Sequence, residues 1–196
     1  MSTFEMPNLT EQQRQAVVDD YLSSLPPGFL PGPVFKQYAR VGVMPTVEVG
    51  LVRPSEQNEG GTELVLAQRS EEDEHWPGQW HVPGSVVRAD DKMDHEHDYD
   101  DVIGRVFGEV GGDLEVVRGP RAFDVVRRRG LRGAEITLRL LAEVRGEPER
   151  GRFFDARNVL AEPPRTGFVE THDLAIASIA RAYQSGALEL GIGSQY

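Results

Sequence analysis

The chain of 196 residues contains no cysteine. Disulfide bonds, zinc sites built on thiolates and cysteine nucleophiles are therefore excluded from its chemistry. The chain also lacks a hydrophobic run long enough to cross a membrane, and its first residues, M-S-T-F-E-M, have neither the basic nor the apolar region of a signal peptide. These absences predict a soluble, cytoplasmic protein without a membrane partner.

Positive charge is also scarce. The sequence has 21 Lys and Arg residues against 32 Asp and Glu residues, which gives a formal net charge of −11. Because the phosphate backbone of a duplex is bound by basic surfaces, we expect no duplex nucleic-acid partner. A small anionic ligand remains compatible with this charge if local cations or a metal ion offset the field. The 39% hydrophobic content is sufficient for the core of one domain.

The first predicted element is a helix over residues 10–25, where Thr10 and Gln13 form a capping box. Four prolines follow between residues 26 and 33 and predict an extended linker. The chain is therefore divided into an N-terminal helix and linker, residues 1–36, and a main domain, residues 37–190. Docking of this helix on a second subunit would make the protein a homodimer.

Alternating or continuous apolar runs in the main domain predict strands. They cover residues 40–52 and 63–68, which we pair as a hairpin, then 122–128 and 134–144 as a second hairpin, and 152–154. A closing amphipathic helix is predicted over residues 173–184, with His172 in its cap. This order of elements favours an α+β fold with a mixed sheet and helices on both faces.

A helix is also predicted between residues 101 and 110, because its apolar residues recur at intervals of three and four. Asp101, Arg105 and Glu109 fall at i, i+4 and i+8 on the opposite, polar face. They form either an ordinary solvated ladder of ion pairs or a column in which Arg105 orients Glu109. Gly104 and Gly108 lie on one face of this helix and predict the close approach of a loop or another backbone.

The segments W-P-G-Q-W-H-V-P-G, from Trp76, and G-R-V-F-G-E-V-G-G, ending at Gly112, resemble the Nudix box, G-x5-E-x7-R-E-U-x-E-E-x-G-U, where U is aliphatic. The residues that match its second half are Arg105, Phe107, Glu109 and Gly112. Those that depart from the motif's glycine, glutamate or aliphatic positions are Ser85, Asp91, Val106, Val110 and Asp113, and the chain from Asp91 to Arg105 is six residues longer than the motif. The resemblance implies a Nudix-type α/β/α sandwich.

The same resemblance implies a function, the hydrolysis of a nucleoside diphosphate linked to another moiety with Mg²⁺ or Mn²⁺. Glu109 would be the central metal ligand, Asp91 or Asp101 a substitute ligand or base, and Arg105 would hold Glu109 in place. Loss of two glutamates weakens such a metal site. The alternative is therefore a catalytically inactive Nudix module that binds a nucleotide or a protein partner in regulation. An acidic interaction domain without a ligand is a third, less specific interpretation.

Three residues outside the box are candidates for substrate binding. Arg69 ends a strand and either presents its cation to phosphates or extends into solvent. Trp80 either stacks on a nucleobase or anchors its turn, and Gly84 lies in the tight turn of the motif's first half.

Two charged segments have equally open interpretations. The four arginines between residues 127 and 132 either clamp a diphosphate or lie in solvent. Residues 90–101 carry seven acids and two histidines, which either bind a cation or form a solvated acidic loop.

Overall fold

The computed structural model describes residues 10–13, 15, 20, 23–24, 32–88, 91, 99–130 and 133–189. Within these ranges the elements, in chain order, are α1 (Gly32–Val41), β1 (Val43–Pro54), β2 (Thr62–Gln68), β3 (Trp80–His81), β4 (Gly84–Val86), α2 (Asp100–Val110), β5 (Glu115–Gly130), β6 (Gly133–Arg145), β7 (Arg152–Asp155), α3 (Ala156–Ala161) and α4 (His172–Gln184). None of the helices in these ranges has both the length and the apolar character needed to span a bilayer.

The strands form one mixed sheet in the order β3-β2-β1-β6-β5, with β4 paired to β1 and β7 paired to β2. β1 and β6 run parallel, whereas the other strand pairs are antiparallel. The predicted mixed sheet and both predicted hairpins, β1 with β2 and β5 with β6, are therefore confirmed. The central strands are buried on both faces, and this burial explains why β1 reads as an almost continuous apolar run.

Helices cover both faces of the central sheet. α2 packs on one face, which contains Val47 and Val49 of β1, and its own buried residues are Val102, Ile103, Val106 and Val110. α4 packs on the other face, where its Ile179 lies directly over β1. A Cβ atom at Gly50 would lie 2.6 Å from Cγ2 of Ile179, so glycine allows α4 to approach the strand closely.

The predicted role of the glycines in α2 is wrong for two of them. At Gly104 and Gly108 an added Cβ would meet no atom within 4 Å outside its own helix neighbourhood, so no backbone of the described chain packs closely there. Gly112, after the helix, does require glycine. Its φ is +88°, and a Cβ there would overlap the carbonyl oxygen of Glu147.

The predicted capping box at the N-terminus is present. The Thr10 hydroxyl accepts a hydrogen bond from the Gln13 N–H at 3.2 Å, and the Gln13 side chain accepts one from the Thr10 N–H at 2.9 Å. Half of the predicted 10–25 helix lies outside the described residues, and the homodimer stays a prediction. The end of the predicted extended linker is helical in the structure, because α1 begins at Gly32. A proline in the first turn, such as Pro33, is compatible with a helix.

Candidate active site

The C-terminal turn of α2 brings Glu109 against β3 and β4. Its Oε1 lies 3.4 Å from Nε2 of His81, and the backbone N–H of Gly84 donates a hydrogen bond to its carboxylate. Burial raises the pKa of Glu109, while the charge of Arg69, the Gly84 hydrogen bond and the charge of Arg150 act in the opposite direction. Glu109 is therefore held in a partly dry, positively charged setting, with 35% of its side chain still exposed.

Two buried histidines are oriented by one residue between them, Val82. Nδ1 of His81 lies 2.9 Å from the Val82 carbonyl oxygen, which can only accept, so this nitrogen carries a proton. Nδ1 of His172 lies 3.0 Å from the Val82 N–H, which donates to it, so this nitrogen is unprotonated. Nε2 of His81 and the Glu109 carboxylate can therefore form a hydrogen bond only if one of them takes up a proton. Either the imidazole becomes a charged imidazolium, or Glu109 becomes a neutral carboxylic acid.

His172 is more than a residue of the helix cap. Its side chain is 7% exposed and its Nε2 lies 3.6 Å from Oε1 of Glu48 on β1. The ring also meets His81 edge-on at a centroid distance of 6.0 Å. The N-terminal end of α4 therefore contributes a side chain to the same region as the end of α2.

A cleft with a volume of about 210 Å³ lies between these groups. Its lining includes Arg69, His81, Gly84, Arg128 and His172 together with the carboxylates Glu48 and Glu135. His81 and Gly84 also contact the Glu109 carboxylate, and Glu48 is the cross-strand partner of Gly84. The cleft therefore combines basic and acidic side chains in one lining.

Glu48 and Glu135 in the lining belong to a buried ion-pair network. Glu48 accepts a hydrogen bond from Nε of Arg139 at 3.0 Å, and its other oxygen lies 2.6 Å from Nη1 of Arg128. Arg128 also pairs with Glu135 at 2.9 Å, and Arg139 pairs with Asp124 at 3.2 Å. These charges lie on β1, β6 and β5, so the network fixes the wall of the cleft on three adjacent strands.

Arg105 and Asp91 form a second ion pair, on the side of α2 that faces β4. Nη1 and Nη2 of Arg105 lie 2.5 and 2.7 Å from the two carboxylate oxygens, and Nη2 also donates to the Val86 carbonyl. The N–H of Arg88 donates to Asp91 as well. The bond from Arg105 is the main cause of a lowered pKa for Asp91. The structure therefore joins Arg105 to Asp91, while Glu109 contacts His81 and Gly84.

We expect Asp91→Asn to destabilise the protein at neutral pH by about 1.5–3 kcal/mol, the usual contribution of hydrogen bonds to a charged group. The pKa of Asp91 is lowered by folding, so its contribution is present at neutral pH and is lost as the pH falls through its folded-state pKa. Urea unfolding of both proteins over this range measures the difference, which should shrink towards acid. The matched control is Glu59→Gln at an exposed position. An unchanged difference at every pH would contradict the assignment.

No family model matches the chain, and no curated protein matches it. Solved structures do match. The NUDIX domain of NrtR from Shewanella oneidensis, crystallised with ADP ribose, is 20% identical, with a TM-score of 0.51 over 89% of this chain and 99% of that one. The MutT protein from Methanosarcina mazei Go1 is 15% identical, with a TM-score of 0.51 over 72% and 95%. The chain has the Nudix fold. A NUDIX hydrolase from Nitrosomonas europaea, 8% identical with a TM-score of 0.51 over 72% and 90%, supports the same fold.

Two positions of the Nudix box lie in the core of the fold. Val106 and Val110, which replace two glutamates of the box, are both 0% exposed and pack under the sheet. Asp101 is exposed and lies eight residues before Glu109, which separates their Cα atoms by about 12 Å along the helix axis. Two oxygens that bind one hard cation lie within about 5 Å of each other, so a shared ion would require both side chains to turn towards one another along the helix.

The described residues do not fit a site for Mg²⁺ or Mn²⁺. Within the ranges that the structure covers, no three His, Asp or Glu side chains are placed to hold a metal ion. The carboxylate of Asp91 is paired with the Arg105 guanidinium. The potential metal ligand beside Glu109 is the imidazole of His81 and not a second carboxylate. Most of the acidic segment 90–101 falls on residues 92–98, outside the described residues.

The three substrate-binding candidates have different surroundings. Arg69 lines the cleft, and its Nε is buried without a hydrogen bond within the described structure, 4.0 Å from Asp73. Gly84 also lines the cleft, and a Cβ there would lie 2.6 Å from the Val47 carbonyl oxygen, so glycine lets β4 reach β1. Trp80 packs edge-on against Phe154 at 4.9 Å, in the apolar cluster under α4.

Sequence reasoning did not select His81, His172 or Glu48. A signal was available for Glu48, because a charge in the middle of an apolar strand needs a buried partner. The histidines gave no such signal. Their contacts with Glu109 and Glu48 join elements that are far apart in the sequence.

Proposed function

We propose that this protein binds a small phosphorylated ligand, a nucleoside diphosphate linked to another moiety, and releases it unchanged. The observation that carries the proposal is the burial of Val106 and Val110 at two glutamate positions of the Nudix box, while Arg69 still lines the cleft. The protein would then be a binding module that acts in regulation.

Arg69 in the cleft supports an anionic ligand. The Arg69 guanidinium is partly buried there, and its Nε has no hydrogen-bond acceptor within the described structure. A buried donor without an acceptor is costly, and a phosphate oxygen would remove that cost. His81 lines the same cleft, with its Nδ1 directed to Val82 and its Nε2 beside Glu109. The Nudix domain of NrtR, which has the same fold, was crystallised with ADP ribose.

Hydrolysis of the diphosphate bond is the second candidate, and Glu109 favours it. Its carboxylate is held by the Gly84 N–H, and burial raises its pKa towards the range in which a carboxylate is an effective base at neutral pH. Mg²⁺ or Mn²⁺ would have to stabilise the charge that develops on the phosphates. The described residues do not supply enough ligands for that ion.

Calorimetric titration with ADP ribose, ADP and AMP tests binding, and phosphate release with Mg²⁺ or Mn²⁺ tests hydrolysis. We expect ADP ribose to bind and Arg69→Gln to weaken it at least tenfold, about 1.4 kcal/mol. Arg157→Gln, at an exposed position distant from the cleft residues in the sequence, is the matched control and should bind normally.

The two candidates give different results. Binding without turnover supports the binding module. Metal-dependent turnover that disappears in Glu109→Gln establishes the hydrolase instead. Absence of both binding and turnover across nucleotide diphosphates, sugar nucleotides and dinucleoside polyphosphates would refute both candidates.

A further inference from the structure

We propose that the outer edge of β5 binds an extended acidic segment of another protein as an additional strand. Two features of the last part of β5, residues 125–130, carry this inference. One is an exposed apolar surface beside the edge, and the other is a pair of arginines whose side chains have no partner among the described residues.

The apolar surface extends over three adjacent strands. Val125 of β5, Ile136 of β6 and Val43 of β1 are 64%, 46% and 42% exposed. The register places them together: Val125 lies opposite Leu138, Ile136 lies two residues from Leu138, and Val43 lies opposite Ala134. Residues two apart or directly opposite share a sheet face, and Leu138 borders the cluster under α2. The three side chains therefore continue that face beyond the end of α2. Contiguous exposed apolar surface of this kind marks interaction sites.

Arg127 and Arg129 lie on the same face as this surface, opposite Ile136 and Ala134. Both are exposed, and neither has an ion-pair or hydrogen-bond partner for its side chain within the described structure. Arg128, between them, points to the other face and pairs with Glu48 and Glu135. Two unpaired cations about 7 Å apart along one strand match acidic residues two apart in an extended partner.

The backbone at this point is suited to strand addition. β5 is the last strand in the order β3-β2-β1-β6-β5, so none of the described strands pairs with its outer edge. Its register shifts fall before residue 125, and residues 125–130 pair regularly with β6. A cavity of about 440 Å³, lined by Val43, Arg127, Arg129 and their neighbours, lies at the end of the strand. A partner strand would obtain hydrogen bonds from the edge and specificity from the side chains on this face.

The positive charges of Arg127 and Arg129 indicate which kind of partner binds at this edge. A second copy of this chain that added edge to edge would place its own Arg127 and Arg129 against those of the first, and like charges across a strand pair are destabilising. Nucleic acid is disfavoured because its phosphate backbone would leave the apolar surface of Val125, Ile136 and Val43 uncovered. An acidic segment with alternating apolar residues satisfies both the cations and the apolar surface.

A bead-displayed library of ten-residue peptides tests the proposal, with valine fixed at alternate positions and glutamate, serine or lysine at the others. We expect the full-length protein to enrich glutamate over lysine at least tenfold. The double variant Arg127→Glu/Arg129→Glu should reverse this preference, and Arg127→Gln/Arg129→Gln should abolish it. The matched control, Arg157→Glu/Arg165→Glu, makes the same change of charge at exposed positions and should retain it.

Amide hydrogen exchange with the selected peptide distinguishes strand addition from docking of side chains alone. Strand addition should slow exchange at alternate residues between 125 and 130. Lack of enrichment, or the same enrichment with both double glutamate variants, would overturn the proposal. Binding of the peptide without slower amide exchange at alternate residues would overturn the proposal that it adds as a strand.

Discussion

Val110→Glu is expected to lower the free energy of unfolding by at least about 3 kcal/mol, because it places an unpaired carboxylate in the apolar core. The side chain at this position is 0% exposed and belongs to the core cluster that contains residues of β1 and β6. The substitution restores a glutamate of the Nudix box, yet we expect no metal-dependent hydrolysis to accompany it. Urea unfolding measures the first effect, and phosphate release with Mg²⁺ or Mn²⁺ measures the second.

Gly104→Glu is the matched control for this variant. It adds the same charge to the same helix at an exposed position with open space around the Cβ atom. We expect a stability close to that of the wild type, since a glutamate in a helix is favoured over glycine by about 0.5–1 kcal/mol. A folded Val110→Glu variant that hydrolysed a nucleoside diphosphate would show that the buried position still belongs to a working metal site.

Arg139→Met is expected to destabilise the protein by about 3–5 kcal/mol, because it removes one of the two arginines that pair with the buried carboxylate of Glu48. The Arg139 side chain is 6% exposed and the Glu48 side chain is 4% exposed, so water does not replace the lost bond. Thermal or urea unfolding measures this loss. A loss below 1 kcal/mol would indicate that Arg128 alone balances Glu48.

A double-mutant cycle separates the pair from its surroundings. Glu48→Leu/Arg139→Met removes both charges, and we expect it to cost less than the sum of the two single variants. The reason is that each single variant leaves one buried charge uncompensated. In the double variant Arg128 still pairs with Glu135, and Asp124 is partly exposed to solvent. Additive losses would show that the two residues act independently.

Local patterns predicted much of the fold. The three- and four-residue spacing identified α2 and its buried side chains, and the apolar runs located β2 and the hairpin of β5 with β6. The parallel pairing of β1 with β6 was not predicted, because no local signal specifies which distant strand completes a sheet. The end of the proline-rich linker was also misjudged, since prolines are compatible with the first turn of α1.

The candidate site was harder to predict than the fold. The box positions located Glu109 and Arg105, but the pairing of Arg105 with Asp91 depends on the loop after β4. The helical spacing placed Val106 and Val110 on the apolar stripe, and the structure shows that this stripe is the core itself. His81 and His172 are recognisable only when β3, α2 and α4 have been assembled.

The long parallel pair has a consequence for synthesis on the ribosome. Val43–Val52 of β1 pairs with Ala134–Glu143 of β6, 91 positions later, and the sheet has β6 between β1 and β5. Contacts so distant in sequence form slowly, because the entropy of closing a long loop is lost before the contacts contribute any favourable free energy. The apolar strand β1 therefore leaves the ribosome well before its partner, at about 5–20 residues per second, and stays unpaired on one edge for several seconds. During this interval the nascent chain should bind chaperones that recognise exposed aliphatic strands.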